Sequence, residues 1–240
     1  MKLSPIFKKD EITIVRRYFL PFLITLVNGC LAFLVLVNLF YVSKNARATG
    51  EISYINFLRI YYIAAAAELL LILLIAPALT SSSISGERER KTLGLLLTTQ
   101  LDPWDIVIGK FLGALSTLLL LAITSIPILS TVYIYGGITL TEVLQYTGAL
   151  MVTAVFCTSV GIMGSSLVNS TAAANAIAYV IIFISYALII VSYIFKDAMG
   201  ISEARLISEA VAAMLLLSAF MLYISKRQIT PRRRKKIKEG

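Results

Sequence analysis

Apolar residues run along this chain in long blocks, with no strict alternation. Six blocks, at roughly 18–42, 57–80, 105–134, 140–167, 173–195 and 206–225, are each long enough to cross a hydrocarbon core of ~30 Å. The third and fourth exceed what a bilayer needs, which predicts tilt or protrusion into water. Because period two is missing, an outer-membrane barrel is disfavoured. The pattern predicts an all-α polytopic membrane protein, with six transmembrane helices forming one domain over 18–225. The gaps between blocks leave no room for a soluble domain, so no nucleotide-binding fold is expected in this chain.

The polar segments punctuate that plan. The opening "SPIFKKDEITIVRRYF" begins with Ser4 and Pro5, a cap and first-turn pair. Ile6, Phe7, Ile14 and Phe19 can share one face, with Lys8, Lys9, Arg16 and Arg17 at headgroup level. This predicts an interfacial amphipathic helix over the arm 1–17, the alternative being a disordered basic arm. Pro21 then turns the chain into the membrane. Further along, Gly136 and Gly137 permit a tight link, Gly200 offers a break and Ser202 a cap for the last helix. The two halves share no sequence repeat, which argues against an inverted-repeat secondary transporter.

Composition agrees with a membrane protein: 58% of residues are hydrophobic and 15% charged. Charge placement adds orientation. Lys2, Lys8, Lys9, Arg16 and Arg17 lie in the arm, Arg88, Arg90, Lys91 and Lys110 around residues 88–110, and the rest of one set follows from Lys226. The opposite side holds only Lys44, Arg47, Arg59, Lys196 and Arg205. The positive-inside rule therefore places both termini in the cytoplasm. The tail 226–240, with Arg232, Arg233, Arg234, Lys235, Lys236 and Lys238, fits anionic lipid better than nucleic acid.

The chain has no histidine and no GxxxxGK[ST] loop. Ser–His and Cys–His catalysis and histidine metal sites are thereby excluded, and no catalytic or metal-binding residue is expected. Cys30 and Cys157 fall inside spans and read as small apolar residues. Glu68 lies near the middle of the second span, where an acid costs roughly 2–3 kcal/mol, so it should face the bundle interior. Two readings stay open: a pathway contact for cargo or protons, or a hydrogen-bonded packing element. Glu209 falls near the outer end of the last span, within reach of water. "GKFLG" (109–113) and "GIMGSS" (161–166) predict close helix approach, within one chain or in a dimer.

One stretch departs from the oily background: "SSSISGERERKTLGLLL", 81–97. Pro77 should bend the second span before it and Gly86 should allow a sharp change of direction. Glu87 and Lys91 stand four apart, a spacing that supports a helical turn by roughly 0.2–0.5 kcal/mol. Leu93, Leu95, Leu96 and Leu97 follow, and "LDPWD" restarts a helix with Asp102 as cap and Pro103 first. Trp104 reads as an interfacial aromatic, and Lys110 as a lysine that snorkels. Charges in front and leucines behind describe either a docking knob for a cytoplasmic partner or a loop that fixes topology.

The residues Glu87, Arg88, Glu89, Thr92, Leu93, Leu96, Leu97, Thr99, Gly109 and Lys110 resemble the segment between spans two and three of type-two permeases of ATP-binding-cassette exporters. Gln100 and Gly94 depart from that pattern. The resemblance implies a coupling helix within 81–104, carried by Glu87, Arg88, Glu89, Arg90, Lys91, Thr92, Leu93, Leu96 and Leu97. It implies a separate ATPase subunit that binds ATP and Mg, a second permease copy or related chain, and the cell membrane of a prokaryote. An amphiphilic peptide, drug or lipid-like cargo suits the uncharged spans. The alternatives are an immunity-type scaffold that holds an ATPase without a pathway, sodium efflux, or a channel.

Overall fold

The computed structural model describes residues 19–49, 54–92, 102–134, 139–196, 200 and 202–229. The arm 1–17 and the tail from 230 onward lie outside these, as do Leu93, Leu96 and Leu97. Among the described residues every regular element is a helix: α1 Phe19–Thr49, α2 Tyr54–Thr80, α3 Ser82–Glu89, α4 Pro103–Ile134, α5 Leu140–Leu167, α6 Thr171–Ile194 and α7 Glu203–Ile229. Six are long and apolar enough to cross a membrane, α2 counting together with α3.

The helix ends follow local chemistry. Thr139 and Glu142 form a reciprocal capping box that opens α5. Pro103 is the first residue of α4, where its missing N–H costs nothing. Gly200 adopts φ +64, a conformation open to glycine, and α7 begins directly after Ser202. The last helix continues through Lys226 and Arg227 to Ile229.

α5 is the centre of the bundle. In its most apolar stretch 78% of the residues are buried, against 11% for α6 and for α7. Small residues make this possible. A Cβ on Gly161 would lie 1.7 Å from Thr80 Oγ1, and one on Gly164 would lie 3.0 Å from the Ala174 carbonyl. The "GIMGSS" patch therefore seats α2 and α6 against α5 inside one chain, as close small-residue packing requires. Buried hydroxyls along α5 are satisfied by its own carbonyls, Thr158 by Ala154 and Ser159 by Val155.

The break between α2 and α3 falls at Ser81 and not at Gly86. Ser81 keeps helical dihedrals and its N–H bonds the Pro77 carbonyl, so the second span runs almost unbroken to Glu89. Gly86 lies within α3, in ordinary helical space. The sharp turn comes later. Lys91, at φ +57, takes the left-handed position of a Schellman motif, with Thr92 N–H bonding the Glu87 carbonyl and Lys91 N–H that of Arg88.

Candidate functional site

Among the described residues, two polar clusters each join several helices, one inside the bundle and one at the end that holds α3. The interior cluster centres on Glu68 of α2, which is 2% exposed. The Ser125 hydroxyl of α4 donates to Glu68 Oε1 and also lies 2.8 Å from the Ala122 carbonyl. The Tyr146 hydroxyl of α5 donates to the Ala65 carbonyl at 2.6 Å and stands 3.3 Å from Glu68 Oε2. The Tyr61 ring packs edge-on against Tyr146, and its own hydroxyl is buried with no hydrogen-bond partner among the described residues. Glu68 thus faces the interior, as its insertion cost demands. Its contacts join three spans of one chain.

At the other cluster the charged stretch is drawn inward. Ile84 of α3 is fully buried against Val107, Ile162 and Ile229, so α4, α5 and α7 all converge on it. Beside this apolar contact, Lys110 Nζ of α4 bonds Glu87 Oε1 at 2.7 Å. Lys110 does not snorkel away, and the expected Glu87–Lys91 pair does not form. α3 ends at Glu89, Lys91 lies in the turn beyond it, and Lys110 already holds the Glu87 carboxylate. Arg88 Nη1 donates to the Val168 carbonyl at 3.3 Å, at the junction of α5 and α6.

Two helices at this end are capped from outside their own segment. Ser170 stands at the N-cap of α6 but makes no side-chain cap bond. Glu89 supplies the acceptor instead, its Oε1 receiving Thr171 N–H at 2.7 Å and the Thr171 hydroxyl at 3.2 Å. The carboxylate also meets the positive end of the helix dipole. Ser81, likewise without a cap bond, precedes α3, and Ser165 Oγ of α5 accepts from Ile84 N–H and Ser85 N–H, both at 2.8 Å. A buried N–H left unpaired costs about 1–3 kcal/mol, so Ser165 fixes the junction between α2 and α3.

Arg90, Lys91 and Thr92 are exposed. Leu93, Leu96 and Leu97 lie outside the described residues. Neither Ser165 nor Thr171 was singled out from the sequence. Ser165 was visible only as part of a small-residue patch, and Thr171 carried no signal, because capping across helices has no fixed spacing. The Thr139–Glu142 box did have one, a threonine three residues before a glutamate.

The family model described as ABC-2 family transporter protein matches residues 5–223. The chain therefore belongs to the ABC-2 transporter permease family and is a multi-pass membrane component of an ABC transporter, a membership that implies a partner ABC ATPase subunit. No curated protein matches it.

Proposed function

We propose, from that membership, that the chain is the export permease of an ATP-driven transporter and that the 81–104 region couples it to the ATPase. ATP and Mg are bound by the ATPase, and two permease copies or related chains frame the pathway. Both termini and the α3 end face the cytoplasm of a prokaryotic cell, the side to which the chain's Lys and Arg are biased. The cargo is amphiphilic: a peptide, a drug or a lipid-like molecule.

One observation carries this reading. The α3 end is bonded to α4 through Glu87, to α5 through Ser165 and to the start of α6 through Glu89. A push on α3 therefore moves several spans together, which is what a coupling element has to do. Glu68, enclosed within one chain, serves in this reading as a clasp between α2, α4 and α5 and makes no contact with cargo.

The test is reconstitution of the purified chain with its ABC ATPase in vesicles. Expected are no ATP hydrolysis by the chain alone and ATP-dependent movement of an amphiphilic tracer by the complex. A complex that hydrolyses ATP but moves no tracer supports the scaffold reading. Leu96→Ala is expected to weaken assembly, since a well-buried leucine contributes about 1.5–3 kcal/mol.

A further inference from the structure

The interior cluster holds fewer hydrogens than its oxygens require. A serine or tyrosine hydroxyl has one hydrogen to give, and an ionised carboxylate has none. The Tyr146 hydrogen goes to the Ala65 carbonyl at 2.6 Å, the shorter of its two contacts. The approach of Tyr146 Oη to Glu68 Oε2 at 3.3 Å is then left without a hydrogen from the tyrosine. The Ser125 hydrogen faces both Glu68 Oε1 and the Ala122 carbonyl. The Tyr61 hydroxyl has no hydrogen-bond partner among the described residues, so it supplies neither Glu68 oxygen. No Lys or Arg among the described residues pairs with Glu68. In the spanning helices packed on α2, charges lie toward helix ends: Lys44 and Arg47 in α1, Asp105 and Lys110 in α4, and Glu142 in α5, with none in α6. The other charge of α2 itself is Arg59, more than two turns away. An ionised Glu68, 2% exposed, would therefore have one shared donor and, on its other side, an oxygen facing an oxygen. Such a charge is far costlier to bury than a neutral carboxyl.

We propose that Glu68 is a proton-binding site: the folded chain holds it as a neutral carboxylic acid, with the proton on Oε2 and donated to Tyr146 Oη. One hydrogen placed there completes a chain of donors. Glu68 Oε2–H gives to Tyr146, Tyr146 O–H to the Ala65 carbonyl, and Ser125 O–H to Oε1, the carbonyl oxygen of the acid. The ligand is a proton taken from water as α2, α4 and α5 close around the site, and it stays while they remain packed. This rests on the clasp reading of Glu68 and deepens it, assigning the charge and the direction of each bond.

The experiment is infrared spectroscopy of the full chain, alone, at neutral pH in a detergent free of ester and carboxyl groups. A protonated carboxyl shows a C=O stretch above the main amide band, whereas a carboxylate absorbs below it. The parent should show an acid band that a heavy-carbon label in the glutamate carboxyls moves to lower frequency. E68Q should lose that band while its thermal unfolding matches the parent. S125A should shift the band to higher frequency, because Oε1 loses its donor, and Y146F should keep the band and shift it less. An acid band missing from the parent, or surviving in E68Q, overturns the site. A larger shift in Y146F than in S125A places the proton on Oε1 and overturns the assignment to Oε2. If E68Q does not fold, the labelled band of the parent and its shift in S125A decide the matter. Transport is measured separately, with the ATPase present. Loss of transport in E68Q, with the acid band present in the parent, overturns the clasp reading and leaves the proton site standing. A missing band with transport retained does the reverse.

Discussion

Ser125 and Tyr146, the neighbours of Glu68, each have a main-chain acceptor of their own in the Ala122 and Ala65 carbonyls. Lys110 and the Thr171 N–H, the partners of Glu87 and Glu89, have no substitute among the described residues. The acid buried deepest in the bundle is therefore the one whose partners can do without it. Removing a carboxylate matters in proportion to what it leaves unpaired, and burial alone does not measure that. The interior clasp adds a contact to spans that already pack. The α3 end is joined through its acids.

The joint at which these two regions meet gives the largest effect. Gly161 of α5 faces Thr80, at the point where α2 passes into α3. A side chain there displaces the helix that carries both Glu68 and Glu87. Gly161→Val is expected to cost about 3 kcal/mol, seen as loss of the folded fraction in a denaturant titration of the detergent-solubilised chain. A parent-like titration would show that the helices can part without harm.

Glu87→Ala comes next. It leaves the Lys110 ammonium, 8% exposed, without its carboxylate. Because Glu87 itself is partly exposed, the expected cost is about 2 kcal/mol, below that of a fully buried pair. The double variant Glu87→Ala with Lys110→Met should recover most of it, measured by the same titration. No recovery would mean that the pair is not what holds α3 to α4.

Glu89→Ala removes an exposed cap and should cost about 1 kcal/mol, with faster amide exchange confined to the first turn of α6. Glu68→Gln keeps an acceptor for Ser125 and should change stability by no more than about 0.5 kcal/mol, with transport retained. Loss of transport with stability intact would break the comparison and assign Glu68 to the pathway.

The predicted spans differ from the helices by a few residues at most ends, and the fourth coincides with α5. Span existence is a matter of how many apolar residues follow one another, and that is written in order along the chain. Gly200, Pro103 and Ser202 could be placed for the same reason, since each acts within a turn of itself. The close approach at Gly161 was also foreshadowed by small-residue spacing, although the spacing left open which helices would meet there. The Glu87–Lys91 expectation misled because four-residue spacing matters only while the helix lasts, and α3 stops at Glu89.

The sequence by itself determined the class of this protein, its six spans and the uneven charge from which an orientation follows. These depend on transfer between water and lipid, which each segment undergoes largely on its own. The tertiary structure alone decided that α5 is the centre of the bundle. It also paired Glu87 with Lys110, 23 residues away, and Glu89 with Thr171, 82 away, and set Ser165 against Ile84 at a separation of 81. Such partners come together only when whole helices pack, and no local spacing in the chain records which ends will meet.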